Sequence, residues 1–236
     1  MTLDPHEIER IETVYSRRGY DTDFDYSDVN PAYLHRLHSM ERAILSALKA
    51  AGMERSLADL RVLDFGCGNG RWFGRWIAWG ATPSNLTGVD LRAAAIEMAE
   101  SAFPQCCFKV MPQGRVPFPD ASFDVVYQHL AFSSILDDRV RQAAAVEMMR
   151  VLKPGGIILW CDFTFDNPRN PHVRGVKQRD IKVLFPNVEA IVMKSVILAP
   201  PVARRVVRRS WLMADLLECG FPFLRTHLFA ALRKIS

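Results

Sequence analysis

Hydrophobic and polar positions change their period twice along this chain. Residues 1–30 are polar for the most part and include a tyrosine-containing stretch, RRGYDTDFDYSDVNP. Helical spacing then sets in at Asn30-Pro31, a capping residue followed by a proline suited to the first turn. Leu34, Leu37, Ile44, Leu45 and Leu48 give this helix an apolar stripe, and Gly52 can close it. From Leu60 the pattern becomes short apolar runs alternating with helical segments. It predicts strands over 61–65, 86–91, 106–111, 123–129 and 156–163, with helices around 70–79, 93–101 and 138–152. Asp137 can cap the last of these helices, and Lys153-Pro154-Gly155-Gly156 stops it. Alternation of this kind implies an α/β fold whose parallel sheet is covered on both faces.

After Phe163 the pattern shifts again. A short helix is expected over 178–185 and a strand over 188–198. A basic helical segment follows from Pro200-Pro201 to about Glu218, and a closing strand over 226–234. The segment between those two strands is well placed to cap a site. No repeat or linker divides the 236 residues, so one domain is expected. Within it, 1–55 form a helical or lid segment, 60–165 a ligand-binding core, and 166–236 a cap with closing strands.

Composition narrows the classes. Hydrophobic residues make up 49% and charged residues 24%, an ordinary globular balance. The start, MTLDPHEIERIETV, lacks the basic head and apolar middle of a signal peptide. The five cysteines form no CxxC pair, which fits reduced thiols, a cytoplasmic location and no zinc site. Net charge is +4, but Arg204, Arg205, Arg208 and Arg209 crowd the basic segment, with Arg225, Arg233 and Lys234 beyond. A solvated helix face accounts for them, as does attraction to an anionic substrate or a peripheral membrane contact. No nucleic-acid module accompanies the charge.

The chemistry is concentrated in VLDFGCGNGR, residues 62–71. In a doubly wound sheet the first strand–helix turn is the natural ligand seat. Gly66, Gly68 and Gly70 let the backbone approach a ligand closely there. Asp90 ends the second strand and can accept from both hydroxyls of a ribose. A dinucleotide fingerprint GxGxxG needs glycine at position 71, which is arginine here. Asp64 would repel a pyrophosphate but suits a cationic amino-acid moiety. S-adenosylmethionine, which carries an ammonium, a sulfonium and no phosphate, fits better than NAD.

With VLDFGCGNG, LTGVDL, VPFPDASFDVVY and EMMRVLKPGGIILW, the chain resembles the class I S-adenosylmethionine-dependent methyltransferases over about residues 60–165. The flanks NPAYLHRLHSMERAIL, FSSILDD, NPRNPHVRGV and LAPPVARRVV resemble a bacterial subgroup associated with polysaccharide or surface-glycan biosynthesis. The resemblance implies a Rossmann-like seven-stranded sheet with an antiparallel last strand, an N-terminal helical extension and a helical insertion before that strand. It implies that Gly66, Cys67, Gly68 and Gly70 line the methionine part of the cofactor and that Asp64 faces its amino group. Asp90 would take the ribose and Leu91 the adenine, with Gln128 at the edge. Many relatives carry an Asp-Ala pair before PFPD that receives the adenine amino group. This chain has Pro112 and Gln113 there. The Gln113 carbonyl is the candidate substitute.

The implied activity is methyl transfer to a small-molecule or lipid-linked acceptor, at a hydroxyl oxygen. A hydroxyl usually needs a base. His129, at the end of the fourth strand, is the first nominee. A core histidine held by hydrogen bonds is the equal alternative. Asp162, after the fifth strand, and His172, in NPRNPHVRG, are the other catalytic candidates, against capping and exposed-loop roles. Arg169 and Arg174 in that loop can hold an anion. Trp72, Phe73, Trp76 and Trp79 read as core packing, and Tyr20, Tyr26 and Tyr33 as lid candidates. No metal-ligand spacing is present. A non-catalytic cofactor-binding partner protein and a nicotinamide oxidoreductase stay open as alternatives.

Overall fold

The structure, a computed structural model, describes residues 5–18, 27, 29–55, 57–168 and 170–235. Tyr20, Tyr26 and Arg169 lie outside them. Helices α1 (Pro5–Arg18) and α2 (Pro31–Ala50) precede the first strand, β1 (Val62–Phe65). The alternating core runs α3 (Phe73–Ala78), β2 (Leu86–Asp90), α4 (Ala93–Ala102), β3 (Cys107–Val110), β4 (Phe123–His129), α5 (Asp138–Val151) and β5 (Leu152–Phe163). The chain then continues through α6 (Gln178–Leu184), β6 (Val188–Leu198), α7 (Pro200–Val206), α8 (Trp211–Gly220) and β7 (Arg225–Lys234).

The strands form one seven-stranded sheet in the order β3-β2-β1-β4-β5-β7-β6. The first five pair in parallel, and β7 runs antiparallel to both β5 and β6. The strand order reverses between β1 and β4, and the carboxyl ends of such strands are where open α/β sheets seat ligands. Two apolar layers sandwich the sheet. Tyr127, Leu159, Cys161 and Phe229 face α2, α3 and α4. Val126, Ile158, Trp160 and Ala230 face α1, α5 and α6. Strands buried on both sides need continuous apolar runs, which is why GIILW and DVVY carry no simple alternation.

Local signals act as read. Asn30 Oδ1 accepts from Ala32 N at 3.0 Å and caps α2, with Pro31 in the first turn. Asp137 Oδ1 caps α5 through Arg139 N and Val140 N. Phe73 and Trp76 are fully buried and Trp72 nearly so, while Trp79 packs at the margin. Three expectations are corrected. Leu45 is exposed, and Met40, Ala43 and Ala47 complete the buried stripe of α2. β5 begins at Leu152, and Lys153–Gly156 form a bulge between the pairs Phe123–Leu152 and Val125–Ile157. The basic segment is two helices, because Ser210 starts a new one by accepting from Met213 N at 3.2 Å.

Candidate active site

The turn after β1 is built from glycines in left-handed conformation: φ is +75° at Gly66, +56° at Gly68 and +75° at Gly70. A Cβ at Gly66 would lie 2.8 Å from Ala131 Cβ, so the turn admits no side chain there. Gly66 N and Cys67 N both donate to Val89 O, at 2.8 and 3.0 Å, and bind the turn to β2. Cys67 points inward, because a Cβ on Gly88 would meet its Sγ at 2.8 Å. Burial pushes the Cys67 thiol well up, so it stays protonated.

Asp64 is buried just before the turn. Its Oδ2 has no hydrogen-bond partner among the described residues. Burial, together with the Asp90 charge, pushes its carboxyl up to about 8. Asp90 is engaged on both oxygens. Oδ2 accepts from Gly68 N at 2.9 Å, and Oδ1 from Arg92 N and Arg92 Nε at 3.0 Å each. Leu91 is half-buried beside this pair. Gln113 is exposed on the rim, in a 3-10 turn with φ +51°, so Pro112-Gln113 brings no carboxylate to the site.

Helix α1 closes over this mouth. Glu7 Oε1 accepts from Leu136 N at 2.5 Å, and Arg10 bridges Glu7 and Ser134 O. Burial pushes the Glu7 carboxyl up, but Arg10 and the two amides outweigh it and hold it below the usual range. The Tyr15 hydroxyl meets Ser134 Oγ, and the Arg92 guanidinium lies 4.7 Å from the Tyr15 ring centre. Of the three lid tyrosines expected, Tyr33 is the one described. It is buried in α2, its hydroxyl accepts from Arg71 Nη1 at 3.1 Å, and Arg36 crosses its ring at 4.8 Å.

Beside the turn, the ends of β4, β5 and β7 meet. His129 pairs in register with Cys161, and Phe163 with His227. Trp72 Nε1 donates to His129 Nδ1 at 3.3 Å. An indole nitrogen only donates, so His129 carries its own proton on Nε2. That atom is sealed from solvent and has no partner among the described residues. His227 is fully buried, its Nδ1 lies 3.0 Å from Thr226 Oγ1, and its Nε2 also lacks a partner among the described residues. Burial first, then the Arg36 charge, holds both imidazoles neutral: His129 well below the usual range and His227 at about 3. Tyr127 completes the wall, buried beneath with its hydroxyl unpaired among the described residues.

The remaining candidates have other geometry. Gln128 donates Nε2 to Cys161 O and accepts at Oε1 from Ala131 N, so both ends of its amide brace the β4 turn. Asp162 accepts from Ser133 N and Phe163 N, each at 2.9 Å, the capping arrangement. Burial pushes it up to about 6 against these bonds. His172 is exposed on its loop. Arg174 pairs with Asp138, and its N donates to Ser133 O at 2.8 Å. Sequence reading missed His227, Arg36, Tyr15 and Arg92. His227 had a signal in THLFAALRK, where alternation puts it on the face of Phe229. The others come from segments whose contacts only the fold creates.

Comparison with known proteins bears on the fold that carries this site. Residues 62–156 match the family model described as a methyltransferase domain. The chain is 34% identical over 107 residues to the malonyl-[acyl-carrier protein] O-methyltransferase of Erwinia billingiae, covering 45% of this chain and 40% of that enzyme. It thus spans less than half the length of that relative. A ubiquinone/menaquinone biosynthesis C-methyltransferase of Campylobacter jejuni is 23% identical, covering 72% of this chain and 74% of its own. Among solved structures, an S-adenosylmethionine-dependent methyltransferase from Mesorhizobium loti shares the fold with a TM-score of 0.57 at 21% identity. That match covers 81% of this chain and 98% of the other. Residues 62–156 are therefore similar to methyltransferase domains, on a sheet whose order is shared with solved methyltransferase structures.

Proposed function

We propose that the chain transfers a methyl group from S-adenosylmethionine to a hydroxyl oxygen of a small-molecule or lipid-linked acceptor. The observation that carries the reading is the coincidence of a side-chain-free turn at Gly66 with the buried, unpartnered Asp64 oxygen beside it. A cofactor with a cationic amino-acid end fits that pair, and a pyrophosphate does not. Gly66, Cys67, Gly68 and Gly70 would line it, with Asp64 toward its ammonium, Asp90 toward its ribose and Leu91 toward its adenine. When bound, it supplies an electrophilic methyl on sulfur, which an oxygen nucleophile takes while the bonding pair stays on the sulfur.

The acceptor would enter between α2 and the ends of β4, β5 and β7. There the His129 Nε2–H group and the Arg36 charge favour an oxyanion over a neutral hydroxyl. His227 Nε2, the nearby nitrogen without a partner among the described residues, would take the proton only once the charge developing on the acceptor offsets the burial and the Arg36 charge that hold this imidazole neutral in the free protein. His129 is thus better suited to donate to the acceptor than to act as its base. Asp162 and Gln128 hold the walls in place, and His172 stays at the margin. Turnover of methyl-labelled cofactor with a panel of hydroxyl acceptors, sugars first, tests the reading. Label in an acceptor that His227→Asn suppresses supports it; cofactor binding with no transfer to any acceptor contradicts it. A non-catalytic binding protein is the second reading, favoured by the closure of Arg92 on Asp90.

A further inference from the structure

Helix α8 is built inside out. Its buried positions are Ala214 and Glu218, a carboxylate. Ser39 Oγ donates to Glu218 Oε1, Leu198 N donates to Oε2 at 3.1 Å, and His35 Nδ1 lies 3.7 Å from Oε2. Arg225 Nε holds the Glu218 carbonyl at 2.6 Å. These bonds fix the rotation of the helix, and the rotation turns its apolar residues outward. Leu212 is 69% exposed, Met213 54% and Leu216 62%, and Phe223 in the next turn is 77% exposed. Single exposed apolar residues are ordinary, but a clustered set on a helix locked in that orientation marks a contact surface.

Its surroundings identify the partner. α7 precedes it and packs against it, exposing Arg204 and Arg205, with Arg208 and Arg209 in the connecting turn. The nearby acids are not free to offset them. Asp215 pairs with Arg42 and His35, and Glu218 is buried. Arg225, Arg233 and Lys234, basic in the sequence too, each donate to main-chain carbonyls. Exposed apolar residues on α8 together with four exposed arginines on the adjoining helix and turn match an anionic lipid surface. A two-fold contact with a second copy would set the same arginine cluster near itself. Among the described residues no helix is long and apolar enough to cross a membrane, so the contact is peripheral.

We propose that the α7–α8 cap is a docking face for anionic membrane, Leu212, Met213, Leu216 and Phe223 entering the headgroup layer while the four arginines meet lipid phosphates. The face is one helix removed from the site, since Ser39 and His35 of α2 hold Glu218 and α2 also carries Arg36. A lipid-linked acceptor would then be met where it resides. The inference stands apart from methyl transfer, because lipid binding needs neither cofactor nor turnover.

Flotation of the full chain with equimolar phosphatidylglycerol/phosphatidylcholine vesicles, against pure phosphatidylcholine, tests it. Wild type should float with the anionic vesicles only, and less as salt rises. Leu212→Gln with Leu216→Gln changes exposed residues and so spares folding, which thermal unfolding checks. This variant should lower the bound fraction about tenfold or more, as should replacing the four arginines with glutamine. The proposal fails if wild type does not float, if both variants float like wild type, or if light scattering shows a dimer that Leu212→Gln with Leu216→Gln dissolves.

Discussion

Arg92 closes on Asp90 from two residues away, its Nε and its main-chain N both 3.0 Å from Oδ1. The acid expected to receive a ribose is therefore already engaged, and its remaining oxygen holds Gly68 N. A ligand that needs Asp90 must displace the guanidinium. Arg92→Ala is thus expected to strengthen S-adenosylhomocysteine binding about threefold, the scale of one partly exposed ion pair. Weaker binding in this variant would mean that Arg92 serves the ligand instead of competing with it.

Gly66→Ala and Gly52→Ala separate a functional glycine from a merely permissive one. Both positions have φ above +70°, but a Cβ at Gly66 meets Ala131 at 2.8 Å, and at Gly52 it meets nothing within 4 Å. Gly52→Ala should cost about 1–2 kcal/mol of stability through backbone strain alone and leave ligand binding intact. Gly66→Ala should cost about 2–4 kcal/mol and abolish binding. Chemical denaturation with calorimetry reads both, and equal effects would remove the special role of Gly66.

Asp64 links binding to protons. With its carboxyl at about 8, it is protonated at neutral pH in the free protein. A cation placed beside it favours the carboxylate, so ligand binding should release close to one proton at pH 7. Affinity should rise with pH and level off above about 8. The free protein follows the opposite sign. A raised folded-state value gives stability that is full below the ordinary carboxylate range and is lost as pH climbs toward 8. Asp64→Asn should flatten both curves. Calorimetry in buffers of different ionisation enthalpy counts the proton, and a count near zero in wild type would contradict this assignment.

The two histidines at the strand ends should behave differently. His227→Asn removes the unpaired nitrogen proposed to take the proton and should lower kcat by about 10²- to 10³-fold with S-adenosylhomocysteine affinity unchanged. His129→Asn removes a donor fixed by Trp72 and should act mainly on the acceptor KM. Steady-state kinetics on any accepted substrate separates the two. A larger kcat loss at His129 would return the base role to it.

Much of this was legible in the chain because it depends on local chemistry. Strands β4 and β6 match their predicted bounds, since apolar runs between turn signals leave little choice. The caps Asn30 and Asp137 act within three residues of themselves. The glycine turn and its two acids were visible for the same reason. The bulge at Lys153–Gly156 was hidden, since a proline-glycine run reads as a stop whether or not a strand resumes pairing around it. The tautomer of His129 depends on Trp72, far away in sequence. The inversion of α8 depends on Ser39 and His35, which carry no sign in the sequence that they receive a carboxylate. Contacts between distant segments decide such details, and periodicity does not encode them.

The turn at Gly66–Gly70, with Asp64 and Asp90, is the proposed seat of S-adenosylmethionine. Calorimetric titration with S-adenosylmethionine and S-adenosylhomocysteine, on wild type and on Asp90→Ala, tests it most directly. Saturable binding of both ligands by wild type, weakened about tenfold or more in Asp90→Ala, is the predicted result. No binding to either ligand, or equal binding by the two proteins, would contradict it.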